Sequence, residues 1–331
     1  MAKEIVLSGI RATGRLHFGN FLGAVRNFVD FQKAGNTCLY FVADLHTLTT
    51  LKNPDEMRNN LVEMVKDYIA AGLDPEASII YAQSSVAEIS ELCLLLSMLQ
   101  PLGDLERMPT FKDLVRVNPN NINLGLVTYP VLMAADILGP KATLVPVGQD
   151  QVPNVELARA LARRFNDRFG ETFVIPEMMT RMVKVPGLSG GKMGKSEGNT
   201  VDINAPIEEI REAYRKHGVT DPQRIHVTDP GDPYHRCQSV YAVHELVTPG
   251  ETETREIANA CMGAQISCLT CKNKLVDSIA VILEPFQARR AELAHQDDFV
   301  RDVLHEGGKK ARARIAETVA VVRDKMGVVI Y

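Results

Sequence analysis

The first half of the chain alternates short apolar runs with helix-like patterns, and this alternation limits the folds that it can adopt. The apolar runs cover residues 4–8, 38–43, 78–82 and 143–147. Helical periodicity lies at residues 18–33, 54–71, 86–99 and 151–165. Strands separated by single helices predict a parallel sheet with helices on both faces, which binds ligands at the carboxyl ends of its strands. The sequence therefore indicates an α/β fold with a doubly wound parallel sheet, similar to a Rossmann fold.

The second half of the chain has a different pattern. A glycine-rich loop at residues 186–198 is followed by helical periodicity over residues 207–326, with almost no strand signal. A chain of 331 residues is long enough for about two domains. We predict a Rossmann-like domain at residues 1–190 and an all-helical C-terminal domain at residues 191–298. The last helix, about 299–327, is expected to pack back on the first domain.

Composition is typical of a globular protein outside the membrane. Hydrophobic residues make up 45% of the chain and charged residues 24%, and no apolar run reaches the roughly 20 residues that span a bilayer. The first residues lack the apolar segment of a signal peptide, so we expect a cytoplasmic location and no membrane partner. The net charge of −4 argues against non-specific coating of nucleic acid, but a local basic face such as residues 309–314 could still bind RNA.

A first candidate motif, Thr13–Asn20, follows the first apolar run and opens the first helix. Small residues there let a ligand approach the backbone, and a helix N-terminus offers free N–H groups to phosphates. His17 and Asn20 add side-chain donors where charge would develop on a phosphate. The motif therefore indicates nucleotide binding, although an ordinary strand-to-helix turn has a similar composition.

A second candidate motif, Gly190–Ser196, lies in the glycine-rich loop. Lys192 and Lys195 are three residues apart on a loop with five glycines, so they could close over a triphosphate. The segment is not a P-loop, because Ser189 stands where that pattern needs its first glycine and no strand precedes it. A flexible linker between domains is the alternative interpretation.

Together, His17-Phe18-Gly19-Asn20 and Lys192-Met193-Gly194-Lys195-Ser196 resemble the HIGH and KMSKS signatures of class I aminoacyl-tRNA synthetases. The resemblance implies that an amino acid carboxylate attacks the α-phosphate of ATP, with Mg²⁺ present, and that the adenylate passes to a tRNA. It implies catalytic roles for His17, Asn20, Lys192, Lys195 and Ser196. It also implies ATP contacts from Arg11, Ala12, Thr13, Gly19, Asn20, Gly148, Gln149, Asp150, Lys192, Met193, Gly194, Lys195 and Ser196. Gly194 stands where the family usually has serine, which predicts a modestly weaker hold on ATP.

Further segments resemble tryptophanyl-tRNA synthetases, and the resemblance extends over essentially the whole chain. These segments are residues 8–14, 43–46, 129–136, 145–151 and 308–312. Tyr129, Met133 and Asp136 are spaced to share one helix face. A carboxylate there can accept the indole N–H, which is a donor only, whereas tyrosyl-tRNA synthetases carry glutamine in place of Met133.

The resemblance implies a tryptophan site and several partners. The site would consist of Asp136, Met133, Tyr129, Gln151, Val145, Val147, Gly9 and His46. The partners would be L-tryptophan, tRNA(Trp) and a second copy of the chain, which would meet the first through residues 80–125.

Four cysteines in the C-terminal third follow the spacing C-x23-C-x6-C-x2-C, namely Cys237, Cys261, Cys268 and Cys271. Four thiolates with one close pair suit either a tetrahedral zinc ion or an iron–sulfur cluster. Some bacterial tryptophanyl-tRNA synthetases carry a similar motif with a [4Fe–4S] cluster, and this resemblance favours iron–sulfur over zinc. Plain buried thiols remain an alternative. Nearby basic residues are candidates for anticodon contacts, namely Arg224, His226, Arg236, Lys272 and Lys274.

Three other functions remain as alternatives. A tyrosyl-tRNA synthetase is opposed by Met133. A non-catalytic synthetase-like protein that binds RNA or senses redox state is favoured only by Gly194. A small-molecule nucleotidyltransferase with a HIGH-type turn does not explain the helical region or the cysteines.

Overall fold

A five-stranded parallel sheet forms the centre of the first half of the chain. The computed structural model describes residues 3–117, 119–120, 122–180 and 183–328. The strands are β1 (Ile5–Arg11), β2 (Thr37–Ala43), β3 (Ser78–Ala82), β4 (Leu144–Pro146) and β5 (Glu177–Met179). Their order is β3-β2-β1-β4-β5 and each described pair is parallel, which confirms the predicted doubly wound sheet.

Fourteen α-helices surround or follow the sheet in the described part of the chain. Those of the first half are α1 (Phe18–Asn20), α2 (Arg26–Lys33), α3 (Asp44–Thr47), α4 (Pro54–Ala70), α5 (Ala87–Ser97), α6 (Leu102–Arg107), α7 (Pro109–Val117), α8 (Leu124–Leu138) and α9 (Val152–Phe169). The C-terminal portion contains α10 (Ile207–His217), α11 (Val240–Val247), α12 (Glu251–Met262), α13 (Cys268–Glu292) and α14 (Asp297–Met326). A π-helical turn at Phe21–Val25 joins α1 to α2. None of the described helices has the length and apolar character needed to cross a membrane.

Strand β5 was missed by the sequence prediction. It has three residues and begins with an exposed glutamate, so it lacks the apolar run by which the other strands were recognised. It is held by pairing with β4, in the register Leu144↔Glu177 and Pro146↔Met179. Strand formation at this position therefore depends on a neighbour rather than on local pattern.

The connections between strands reverse direction at β1. Strand β1 pairs with β2 on one side and with β4 on the other, where Val6 lies opposite Leu144. Because the order of the strands reverses at β1, a crevice opens at the carboxyl ends of β1 and β4. Doubly wound sheets bind ligands in such a crevice. The motif at residues 13–20 begins two residues after β1 ends.

The side chains of the sheet fill two apolar layers, one on each face. Successive residues of a strand point to opposite faces, so Val6 joins one buried cluster and Leu7 joins the other. The first cluster includes buried residues of α4, α11 and α13, and the second includes those of α8, α9 and α14. The C-terminal helices thus bury apolar surface against both faces of the sheet.

Helix α14 lies directly against the backbone of strand β3. A side-chain carbon at Gly307 would be 1.8 Å from the carbonyl oxygen of Ile80, and one at Gly308 would be 2.7 Å from Ser85 Oγ. Glycine at these two positions therefore allows the helix to approach an edge strand more closely than any other residue would.

We expect Gly307→Ala to destabilise the fold by about 3 kcal/mol. The steric cost of placing the added methyl against the Ile80 carbonyl exceeds the free energy that the higher helix propensity of alanine would gain. The measurement is the free energy of unfolding in denaturant. Lys310→Ala, at an exposed position of the same helix, is the control and should change it by less than about 0.5 kcal/mol. Equal stability of the two variants would contradict the close packing.

Candidate functional site

Two adjoining cavities lie at the crevice between β1 and β4. The larger has a volume of about 520 Å³, and the predicted site residues that line it are Gly9, Arg11, Thr13, His17, Asn20, His46, Tyr129, Met133, Asp136, Val145, Val147, Gly148, Asp150, Gln151 and Lys195. The smaller has a volume of about 480 Å³, and its lining adds Gly19, Gln149, Lys192 and Met193. Residues separated by more than 180 positions in the sequence therefore meet at one place.

Two predicted residues lie elsewhere, and the side chain of a third is not described. Ala12 is fully buried; its N–H donates to Thr47 Oγ1 at 2.8 Å and its carbonyl accepts from Asn60 Nδ2 at 2.9 Å. Gly194 lines a separate surface depression beside the glycine-rich loop. The side chain of Ser196 lies outside the described residues.

His17 caps the first turn of the helix that starts the nucleotide motif. Its Nδ1 accepts the N–H of Asn20 at 3.3 Å, which assigns the ring proton to Nε2. Burial, together with the charges of Lys195 and Lys192, lowers the pKa of His17 to about 4. The imidazole is therefore neutral at pH 7 and offers one N–H donor to the cavity.

The two signature motifs contact each other. The N–H of Gly19 points at Met193 Sδ at 3.1 Å, and Lys195 Nζ donates to the carbonyl of Thr13 at 2.8 Å. A side-chain carbon at Gly19 would be 3.0 Å from the His17 ring and 3.1 Å from Met193 Cβ, so glycine relieves a tight contact at this approach. Both lysines of the second motif line a cavity that His17 also lines.

Asn199 holds the glycine-rich loop in shape, although sequence analysis did not identify it. Its Oδ1 accepts the N–H of Gly194 at 3.0 Å, and its Nδ2 donates to the carbonyl of Lys192 at 3.2 Å and to Ser189 Oγ at 3.1 Å. Gly194 has φ −163°, an extended conformation that any residue adopts. Serine would therefore fit this backbone without strain, and weaker ATP binding due to Gly194 stays a prediction.

An ion pair joins the loop to the carboxyl end of β4. Lys192 Nζ lies 3.4 Å from Asp150 Oδ1, with both side chains exposed. Burial raises the pKa of Asp150, but the hydrogen bond from Gln151 and the charge of Lys192 outweigh it and the net pKa is lowered. Asp150 therefore remains ionised and keeps Lys192 beside the nucleotide cavity.

The other end of the cavity contains a fully buried carboxylate on α8. Asp136 accepts hydrogen bonds from Gln83 Nε2, at 2.9 Å and 2.8 Å to its two oxygens, and its Oδ2 lies 3.1 Å from His46 Nε2. Burial raises the pKa of Asp136, whereas the hydrogen bonds from His46 and Gln83 oppose that rise. As predicted, Tyr129 and Met133 line the same cavity from the same helix.

Gln83 and the orientation of His46 were not anticipated from sequence. Gln83 directly follows β3 and is fully buried, and its Oε1 also accepts the N–H of His46 at 3.3 Å. The ring of His46 lies 4.1 Å from that of Tyr129, and its Nδ1 has no hydrogen-bond partner among the residues that the structure describes. Position at the carboxyl end of a predicted strand is the signal that could have identified Gln83.

Comparison with known proteins identifies the family. Residues 2–284 match the family model described as tRNA synthetases class I (W and Y). The chain belongs to this family.

Relatives of this class I synthetase match it over nearly their whole length. It is 40% identical to tryptophan–tRNA ligase from Thermotoga maritima, over 97% of this chain and 98% of that protein. The corresponding enzyme from Deinococcus radiodurans is also 40% identical, over 97% and 98%. The crystal structure of tryptophanyl-tRNA synthetase from Campylobacter jejuni with ADP and tryptophan aligns with a TM-score of 0.85 and 30% identity, covering 98% of this chain and 99% of that chain.

The four cysteines of the C-terminal portion line one small cavity. Cys237, Cys261, Cys268 and Cys271 meet there although 34 positions separate the first from the last, and Arg224 Nη1 lies 3.6 Å from Cys261 Sγ. Within the described ranges, no group of three or more His, Cys, Asp or Glu side chains is arranged so that it could hold a metal ion.

The candidate anticodon-contacting residues differ in their surroundings. Arg224 donates to the carbonyls of Val227 and Ile266 at 2.8 Å and 2.7 Å, and Arg236 pairs with Asp221 at 3.1 Å. The remaining three are Lys272, which donates to the carbonyl of Arg215, and the exposed His226 and Lys274. The two arginines therefore organise the loop around the cysteines.

We expect the His17 imidazole to titrate near pH 4 rather than near its ordinary value of about 6.5, because burial and two lysines disfavour the cation. Since the folded-state pKa is lowered, protonation of His17 should reduce stability as the pH falls from about 6.5 toward 4. Histidine-selective NMR, with His17→Asn to assign the resonance, measures the midpoint. A midpoint at pH 6 or above would contradict the assigned neutral state.

Proposed function

We propose that this synthetase activates L-tryptophan with ATP and Mg²⁺ and transfers it to tRNA(Trp). The observation that carries the proposal is the buried Asp136 carboxylate, which lies beside Met133 in the same cavity as the nucleotide motif. An indole N–H can donate to this carboxylate, and the thioether offers an apolar contact to the ring. Curated relatives named tryptophan–tRNA ligase support the choice of amino acid.

Tyrosine is a poorer fit to the same cavity. A phenol hydroxyl both donates and accepts, so it needs a partner that can do both, and Met133 offers only a weak acceptor. The donors around Asp136 are already used, since Gln83 and His46 both contact its carboxylate. A buried phenol would therefore keep at least one unmet hydrogen bond, which is the source of strong discrimination in such pockets.

The proposed activation step requires positioning and charge stabilisation. The tryptophan carboxylate attacks the α-phosphorus of ATP, the bond to the pyrophosphate oxygen breaks, and pyrophosphate leaves with its electron pair. Lys192 and Lys195 neutralise charge on the phosphates, and His17 Nε2 and Asn20 donate hydrogen bonds to them. Mg²⁺ would neutralise further phosphate charge. Because no covalent enzyme intermediate is needed, the rate depends on how accurately these groups are placed.

Several finer assignments belong to the same proposal. Residues 1–190 would form the activating domain and residues 191–298 the anticodon-binding domain, with the last helix on the former. A homodimer is supported by exposed apolar side chains within residues 80–125, namely Leu94, Met98, Leu102, Ile122 and Leu124, which are 56–73% exposed. We place the enzyme in the cytoplasm, where aminoacylated tRNA is consumed.

We further propose that the four cysteines, which are not grouped as metal ligands within the described ranges, rearrange to hold a [4Fe–4S] cluster. Four thiols face one cavity, and burial followed by the neighbouring cysteines raises the pKa of Cys237 to about 11 and of Cys271 to about 12. Thiolates grouped in this way repel one another unless a cationic centre binds them. A side-chain carbon at Gly231 would lie 2.5 Å from Cys261 Sγ, so glycine leaves room for the sulfur. A bound cluster would tie the segment before α11 to α12 and α13.

The first test is amino-acid-dependent ATP–pyrophosphate exchange with the intact protein. We expect exchange with tryptophan and none above background with tyrosine. In Asp136→Asn, KM for tryptophan should rise by about ten- to a hundredfold, because one buried charge-assisted hydrogen bond to the indole is lost.

The control for this test is Asp30→Asn, at an exposed position of α2. It should keep the wild-type KM for tryptophan. Exchange with tyrosine would show that the face of α8 was misinterpreted, and unchanged tryptophan KM in Asp136→Asn would exclude that residue from the pocket.

A second test addresses the cysteines. Protein prepared without oxygen should contain about four iron atoms and four sulfides per chain, and Cys268→Ser should lose most of them. Cys93→Ser, in a free and partly buried cysteine of α5, is the matched control and should keep the iron. A content of one zinc ion per chain would show that the site binds zinc instead of a cluster. Protein without metal would show that the cysteines are free thiols.

A further inference from the structure

The C-terminal end of helix α13 contacts the surroundings of the nucleotide turn, which we define as residues 13–20. Three of its side chains make these contacts, namely Phe286, Gln287 and Arg290. Phe286 and Arg290 are 2% and 9% exposed, so they form part of the buried interface between the helical portion and the sheet. None of the three belongs to the signature motifs.

Arg290 reaches the nucleotide turn through one buried carboxylate. Its Nε donates to Asp67 Oδ1 at 2.8 Å, and Asp67 Oδ2 accepts the N–H of Leu16 at 3.1 Å. Leu16 directly precedes His17. Because Asp67 is fully buried and accepts one strong donor on each oxygen, its orientation is determined and it fixes the position of that N–H.

A second carboxylate on the same helix extends this network. Glu63, one turn before Asp67 on α4, accepts from Arg290 Nη2 at 2.5 Å and from Arg15 at 3.2 Å. Lys66 also pairs with Glu63, at 3.3 Å, and is itself 3% exposed. Glu63 and Asp67, on one face of α4, thus hold the side chain of Arg15 and the N–H of Leu16. Arg290 contacts both of these carboxylates.

Gln287 holds the segment that pairs with the other side of the turn. Its Nε2 donates to the carbonyls of Ile203 and Ala205, each at 2.9 Å. Two residues before Ile203, the carbonyl of Val201 accepts the N–H of Phe18 at 2.9 Å. This segment follows the glycine-rich loop, so Gln287 holds a segment that joins the second signature motif to the nucleotide turn.

An aromatic contact completes the interface. The ring of Phe286 meets that of Phe21 edge to face, with centroids 5.4 Å apart and an angle of 63° between the planes. Phe21 begins the π-helical turn that directly follows the nucleotide turn. The helix that carries Cys268 and Cys271 at its first turn therefore ends against both sides of the nucleotide turn.

We propose that Asp67 and Arg290, together with Gln287, are positioning residues for ATP activation. They hold the Leu16 N–H and the segment at residues 201–205, and through these the His17 ring, at the distance that the phosphates require. The inference rests on the proposed activation of tryptophan with ATP. It assigns part of the geometry of the nucleotide site to the C-terminal portion of the chain, whereas tryptophan is held from α8 on the opposite face of the sheet.

The test compares two neighbouring arginines of α13. Arg290→Met removes the buried donor, and Arg289→Met makes the same change at an exposed position. In pyrophosphate exchange, we expect kcat/KM for ATP to fall by about ten- to a hundredfold in Arg290→Met, because small displacements of positioning groups have effects of this size. The dissociation constant for tryptophan should stay within about twofold of wild type.

Arg290→Met leaves Asp67 buried without its cation, which can prevent folding. A second variant therefore tests the same proposal without removing a charge. Gln287→Leu removes two hydrogen bonds and no charge, and Gln296→Leu, an exposed glutamine beyond the same helix, is its control. We expect the same selective loss in kcat/KM for ATP. If folded Arg290→Met and Gln287→Leu match their controls, or if tryptophan binding falls as much as the ATP parameter, the proposal is overturned.

A double variant separates direct coupling from general damage. If Asp67 acts through Arg290, Asp67→Asn combined with Arg290→Met should lose no more activity than the worse single variant. Additive losses would contradict one shared path. If wild type lacks tryptophan-dependent exchange, the proposed function fails, and the ATP dissociation constants of the same variants and controls, measured by equilibrium dialysis, still decide the positioning role.

Discussion

The pairing of β1 with β2 on one side and β4 on the other is the constraint on which the rest of the site depends. It opens a crevice at the carboxyl ends of β1 and β4, and the nucleotide motif and the α8 carboxylate both face that crevice. The glycine-rich loop then closes on the motif through contacts between Gly19 and Met193 and between Lys195 and Thr13. Where catalysis does not use a covalent enzyme intermediate, the rate depends mainly on how accurately the reacting groups are positioned. Such a site needs a scaffold that holds its parts in place.

Burial sets the charge of the two key titratable groups of the cavity. It lowers the pKa of His17, so that a neutral imidazole lines the cavity near two lysines. It raises the pKa of Asp136, although the hydrogen bonds that its oxygens accept from Gln83 and His46 oppose that rise. One cavity thus offers cationic and neutral donors at the nucleotide end and an acceptor at the amino acid end.

The C-terminal helices form a separate portion of the chain, but they also pack against the sheet that carries the crevice. Helix α14 packs directly on the backbone of β3, where Gly307 removes the side chain that would prevent it. Helix α13 carries two cysteines at one end and Arg290 at the other. These contacts link side chains that are far from the crevice in sequence to the nucleotide turn.

Much of the fold and part of the site could be predicted from local sequence. Four of the five strands carry apolar runs, and Tyr129, Met133 and Asp136 share a helix face because their spacing matches the helical period. Strand β5 carries no such run and forms only because β4 offers a partner. The roles of Asn199 and Gln83 were missed because neither belongs to a motif.

The sequence by itself determined the alternation of four of the five strands with helices, the two signature motifs and the resemblance to the family, since these depend on patterns within a few tens of residues. Only the tertiary structure decided that Gln83 orients Asp136, that Asn199 shapes the glycine-rich loop, and that Arg290 reaches Leu16 through Asp67. The physical reason is that a hydrogen bond between residues 223 positions apart leaves no periodic trace in the chain. It exists because the sheet and the helices bury both partners at one interface.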